Sequence, residues 1–216
     1  MNESLLIDVW SDVVCPFCYL GSRQLAVAVE QYEHRDEVVI REHAFELDPS
    51  APRDYGVTLP ELLAKKYGMP IERARALNER LEGEASQLGL AWSMKNAQPA
   101  NTFDAHRLVA LAAHQHKGAA MVERLFRAYF SDGLLISDRD TLNELASECD
   151  VDDAPSLWSS DDFTSDVRDD EQKAAELGIT GVPSLVIDEK FMVVGAQGSD
   201  HLLDVLNRAW SRRTAA

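Results

Sequence analysis

A short apolar stretch, SLLIDVW, runs through SDVV into CPFC, and a segment of helical periodicity follows at once. The run before the cysteines reads as a buried strand. Beyond them Leu25, Ala28, Val29 and Tyr32 fall at i, i+3, i+4 and i+7, one apolar helical face on a helix from about Pro16 to His34. Extended backward, that face passes through Ser22 and Gly21 to Cys18, so Cys18 points to the core side. Cys15 falls at the helix start, where the first backbone N–H groups lack partners, and Pro16 suits the first helical position. VVIREHAFEL then reads as a second strand. Strand, helix and strand within about 45 residues form a βαβ unit with a right-handed crossover.

The C-terminal part has another pattern. SLVI and FMVV are strand-like and are separated by Asp188, Glu189 and Lys190, a hairpin spacing. Ser199 can cap a last helix whose Leu202, Leu203, Leu206 and Trp210 share a face. The segment between is helical in pattern. Thr58 and Glu61 form a capping box. Pro70 starts a helix lined by Ile71, Ala74, Leu81, Ala85 and Leu88 and ended by Gly89, and three or four more helices follow between Phe103 and Leu177. The expected architecture is therefore α/β. A βαβ half and a ββα half make a thioredoxin fold (residues 1–50 and 178–216), and a large all-helical insertion (51–177) separates them.

The spacing of Cys15 and Cys18 admits a redox pair, a metal clip or inert core thiols. A thiol reacts as thiolate, and a helix N-terminus stabilises negative charge on sulfur. Cys15 is expected to be the low-pKa nucleophile, and Cys18, one turn on, can attack a mixed disulfide formed there. A structural zinc site usually takes four ligands. Here only Cys149 and six scattered histidines remain, and His114 and His116 lie near a helix end where they complement the dipole. Redox chemistry is the favoured reading, with no metal site. Pro183 in GVPSLVI stands just before a strand, where its missing N–H is tolerated. In a thioredoxin plan it is cis and turns the Val182 backbone toward Cys15; taken without the cysteines it is an ordinary trans turn proline. Leu142, Leu145, Ala146 and Cys149, after a Ser137 cap, fall on one face, which places the Cys149 sulfur in the core.

Hydrophobic residues are 45% and charged residues 27%, as in ordinary globular chains, and no apolar run approaches the ~18 residues of a membrane span. MNESLLIDVW has neither a basic region nor a long apolar stretch, so the expected location is cytoplasmic. The formal net charge of −16 disfavours nucleic acid as a partner. Ten acidic residues against Arg168 and Lys173 between Asp150 and Glu176 read as a solvated helix face rather than a docking surface.

Together, WSDVVCPFCYLG, FELDPSAP, NTFDAHRL and GVPSLVIDEKFMVVGAQ resemble the DsbA-like thioredoxin family. The resemblance is greater to its FrnE-like branch, grouped with 2-hydroxychromene-2-carboxylate isomerases and kappa-class glutathione transferases. It implies a thioredoxin fold, a redox pair at Cys15 and Cys18, and a cis-proline at Pro183. The substrate-contacting residues are then Pro16, Phe17, Val182 and Pro183, the partners protein or small-molecule thiols and disulfides, and no cofactor is required. Phe17 stands where the branch often has tryptophan. Val9 stands where thioredoxins bury a carboxylate, six residues before the first cysteine; Asp8 and Asp12 point elsewhere by strand alternation. A glutathione-dependent transferase or isomerase is the alternative, although those relatives commonly have serine in place of Cys15.

Overall fold

The computed structural model describes residues 4–214. The chain divides into two compact units, Met1–Phe45 with Asp170–Ala216, and Glu46–Asp169.

The first unit is built on β1 (Leu5–Ser11), which follows its sequence alternation. Leu5, Ile7 and Val9 enter one core with Leu25, Ala28 and Tyr32 of α1 (Pro16–Gln31). Leu185, Ile187 and Val193 join them from β3 (Ser184–Ile187) and β4 (Phe191–Val194), and Leu202, Val205, Leu206 and Ala209 from α9 (Ser199–Thr214). Burying each of the larger side chains stabilises the unit by about 1.5–3 kcal/mol. The opposite face of β1 carries Trp10, packed with Ala174, Ile179 and Val186. The sheet order is β2-β1-β3-β4, where β2 is Val38–Ala44. β2 runs parallel to β1 from Leu5↔Val38 to Ser11↔Ala44, and β3 and β4 are antiparallel. The hairpin turns at Asp188 and Glu189, whose φ values of 51° and 55° match the two left-handed positions of a type I′ turn. This is the thioredoxin fold that the strand and helix pattern implied.

The second unit is helical: α2 (Leu59–Tyr67), α3 (Ile71–Gln87), α4 (Phe103–His114), α5 (Gly118–Arg127), α6 (Arg139–Glu148), the short α7 (Ala154–Leu157) and the first part of α8 (Thr164–Glu176). The Thr58–Glu61 capping box forms, with the Thr58 N–H donating to Glu61 Oε2 at 2.7 Å. Arg107 of α4 is 4% exposed, and its guanidinium donates to the carbonyls of Leu157, Ser160 and Asp162 at 2.8–2.9 Å. A charge this buried is held by carbonyl acceptors and by Asp104, 3.3 Å away.

Several boundaries differ from the sequence pattern. α1 ends at Gln31 rather than His34, because Tyr32 leaves helical geometry to fill the core. β2 stops at Ala44, where pairing with β1 runs out. Five helices, not three or four, lie between Phe103 and Leu177. The units part at 45/46 and 169/170 instead of 50/51 and 177/178. The second division falls inside α8, a continuous helix with no break in its sequence for a reader to find. Asp138, not Ser137, caps α6: its Oδ2 accepts from the Thr141 N–H at 2.9 Å, while the Ser137 hydroxyl donates to the Arg53 carbonyl. Ser199 is the first residue of α9 and not its cap, since the Leu202 N–H reaches the Gly198 carbonyl.

Candidate functional site

β1 ends at Ser11, and Asp12, Val13, Val14 and Cys15 form a turn closed by the Cys15 N–H on the Asp12 carbonyl at 3.0 Å. The Asp12 carboxylate accepts the Val14 N–H at 3.4 Å. The turn delivers Cys15 as the N-cap of α1, with φ −87° and ψ 116° and no side-chain cap. Its carbonyl accepts the N–H groups of Cys18 at 3.1 Å and Tyr19 at 3.3 Å. Both thiols are free and nearly covered, Cys15 at 4% and Cys18 at 1% exposure, while Phe17 between them is 48% exposed. Pro16 is half-buried at the helix head.

The loop before β3 completes the site within the same unit. The Cys15 thiol donates to the Val182 carbonyl at 3.7 Å, and the Val182–Pro183 peptide bond is cis. Pro183 is buried against α1: a Cβ on Gly21 would stand 2.9 Å from its Cγ, so glycine is the residue this approach requires. The Pro183 carbonyl is tied to the Gly195 N–H at 2.7 Å. Of the residues singled out in the sequence, Cys15, Cys18, Val182 and Pro183 are thus brought together, with Pro16 and Phe17 at the helix head beside them.

The two sulfurs are electrically unequal. The Cys15 pKa is lowered, first by a hydrogen bond from the Cys18 thiol and then, against the cost of burial, by the N–H groups of Cys18 and Phe17. The helix N-terminus contributes through those two N–H groups. The Cys18 thiol is pushed well up, first by burial and then by the neighbouring Cys15. One sulfur is poised to ionise and the other to stay protonated.

Sequence reasoning passed over two features. It turned Asp12 away from the cysteines, but Asp12 lies past the end of β1, where alternation no longer applies. It is 1% exposed, and its charge acts on both thiols. It also gave no hint of a polar cluster on the opposite face of the sheet from Val9. Arg41 grips Asp8 through two hydrogen bonds of 2.8 and 2.9 Å, and His43 lies between Asp8 at 2.7 Å and Asp170 at 2.5 Å. The His43 ring stacks on Trp10, centroids 4.4 Å apart. Burial alone would lower the His43 pKa, but Asp170 and then Asp8 outweigh it and the pKa is raised. The cluster joins β1, β2 and the second half of α8, a structural pin whose parts are too distant in sequence to be recognised.

Val9 is 5% exposed in the apolar core, as its position implied, and Glu42 is its register partner on β2. Cys149 departs from expectation. It is the C-cap of α6 and only half-buried, with its thiol donating to the Ala120 carbonyl at 3.7 Å. No helix among the described residues is long and apolar enough to cross a membrane.

A thioredoxin sheet with a dithiol at the head of α1 defines the class, and comparison with known proteins agrees. The family described as DSBA-like thioredoxin domain matches residues 6–207. The uncharacterized protein YwbO of Bacillus subtilis (strain 168) is 31% identical over 199 residues, covering 90% of this chain and 92% of that protein. Among solved structures, the probable DsbA oxidoreductase SCO1869 of Streptomyces coelicolor superimposes with a TM-score of 0.92 at 33% identity, covering 96% of this chain and 90% of that one. The cytosolic disulfide reductase DsbM of Pseudomonas aeruginosa has a TM-score of 0.68 at 20% identity, over 98% and 100% of the two chains, a likeness of fold. The chain belongs to the DsbA-like thioredoxin family.

Proposed function

We propose that this protein is a thiol–disulfide oxidoreductase of the FrnE-like branch, working in the cytoplasm on protein or small-molecule disulfides. The observation that carries this reading is the placement of Cys15 as N-cap of α1 with its thiol on the Val182 carbonyl and Cys18 one turn on, an arrangement that lowers the Cys15 pKa and raises that of Cys18. The Cys15 thiolate attacks a substrate disulfide, forms a mixed disulfide and releases the first substrate sulfur as thiolate. Cys18 then gives up its proton and attacks Cys15 Sγ, forming the Cys15–Cys18 bond and releasing the second substrate sulfur. The Val182 carbonyl, facing Cys15 Sγ, is the main-chain acceptor that an extended substrate can meet, with Pro183 below it and exposed Phe17 and half-buried Pro16 as contact surface. The cytoplasmic assignment fits a reductive role, and the fold is shared with a protein described as a cytosolic disulfide reductase.

Trapping tests the reading. Cys18→Ser is expected to accumulate mixed disulfides through Cys15 with glutathione disulfide or with proteins in a cell extract, and to lose turnover. Cys15→Ala is expected to do neither. If Cys18→Ser kept full turnover in a glutathione-dependent reaction while Cys15→Ala lost it, the pair would not be acting as a dithiol. A glutathione-dependent transferase or isomerase, needing one reactive thiol, would then be the correct reading.

A further inference from the structure

We propose that Asp12 sets the redox poise of the Cys15–Cys18 pair, favouring the disulfide over the dithiol and so making the protein an electron donor; this rests on the oxidoreductase reading above. The turn places the two residues together. Cys15 N–H on the Asp12 carbonyl at 3.0 Å closes a four-residue turn, whose ends lie within about 7 Å at Cα. The side chain is fixed within that turn by the Val14 N–H at 3.4 Å, and the residue is 1% exposed. A buried carboxylate is thus held in the turn that ends at Cys15, where solvent screens it little.

Its effect has a definite sign. The Asp12 charge opposes ionisation of Cys15 and of Cys18. On Cys15 the N–H groups of Cys18 and Phe17 act in the opposite sense to Asp12, and on Cys18 the Cys15 charge acts in the same sense. On the sheet nearby, Asp8, Arg41 and His43 are paired with one another and with Asp170. The disulfide carries no charge for Asp12 to oppose, whereas the dithiol, once Cys15 is ionised, does. Asp12 therefore penalises the reduced form at any pH where the thiolate is populated, and the pair gives up its two electrons more readily.

The equilibrium to measure is protein dithiol plus glutathione disulfide against protein disulfide plus two glutathione thiols, in which two electrons pass from the pair to glutathione. It is followed in glutathione buffers from about pH 5 to about pH 9, with thiolate absorbance read in the same samples. Asp12→Asn is expected to lower the Cys15 pKa and shift the equilibrium toward the dithiol by about three- to tenfold at the alkaline end, tenfold corresponding to about 30 mV. The difference shrinks as pH falls through the Cys15 pKa, a profile that a change of packing alone would not produce. Asp12→Glu keeps the charge and is expected to stay near wild type. Should Asp12→Asn not fold, Asp12→Ser, whose hydroxyl can accept the same Val14 N–H, carries the test. An unchanged equilibrium in the neutral variants, a shift toward the disulfide, or an equal shift in Asp12→Glu overturns the proposal. A wild-type pair that never exchanges with glutathione overturns the oxidoreductase reading itself, and this proposal with it.

Discussion

Replacing Glu42 by glutamine should make the protein more stable at neutral pH and leave it unchanged in acid. Glu42 is the register partner of Val9, so strand alternation turns it to the face that also buries Leu5 and Ile7. Burial raises its pKa from 4.5 to about 7, with His43 pulling weakly the other way. The folded state thus holds the proton more tightly than the unfolded chain. Below about pH 4.5 both states are protonated and the group contributes nothing to the difference. As pH rises toward 7 the unfolded chain ionises first, and stability is lost until the folded carboxyl ionises too. The full shift would correspond to roughly 3 kcal/mol. Glu42 is only half-buried, and water at its edge screens part of that, leaving about 1–3 kcal/mol. Urea denaturation of wild type and Glu42→Gln at about pH 4 and about pH 8 reads the difference directly. The midpoints should coincide in acid and separate at the higher pH, with the variant higher. A variant of equal or lower stability at about pH 8, or an offset independent of pH, would refute the argument from burial.

Two further outcomes follow from packing. Gly21→Ala places a methyl 2.9 Å from Pro183 Cγ, and should cost about 1–3 kcal/mol in chemical denaturation while slowing disulfide exchange, since it displaces the loop that faces Cys15. Cys149, half-buried with its pKa raised by burial, should be alkylated slowly in the folded protein, and Cys149→Ala should keep full exchange activity with a loss of no more than about 1.5 kcal/mol; a Cys149 disulfide to Cys15 or Cys18 after mild peroxide would contradict this.

The parts of the fold readable in advance were those governed by local rules. Alternation in β1, the apolar face of α1, the Thr58–Glu61 box and the Asp188–Glu189 hairpin each depend on residues a few positions apart. Cys15 and Cys18 were legible for the same reason, because strand, turn and helix start are consecutive. Pro183 needed the plan as well, since what fixes it is Gly21 on a distant helix. The His43 pin was hidden because its carboxylates come from Asp8 and Asp170, and only the sheet register and the second half of α8 bring them together. Asp12 was misplaced because alternation was carried one residue past the strand, into a turn with its own geometry. Cys149 was misplaced likewise: the helical face was extended one residue beyond Glu148, where α6 ends.

The proposed mechanism divides the chemistry between two sulfurs of one turn by their difference in acidity. It is tested most directly by the pH dependence of alkylation in the reduced protein, with the modified residue identified by mass spectrometry. Cys15 is expected to be modified with a midpoint below the ordinary cysteine value of about 8.5, ahead of the slow reaction of Cys149, while Cys18 stays unmodified until the protein unfolds. Modification of Cys18 first, or a Cys15 midpoint at or above that value, would contradict it.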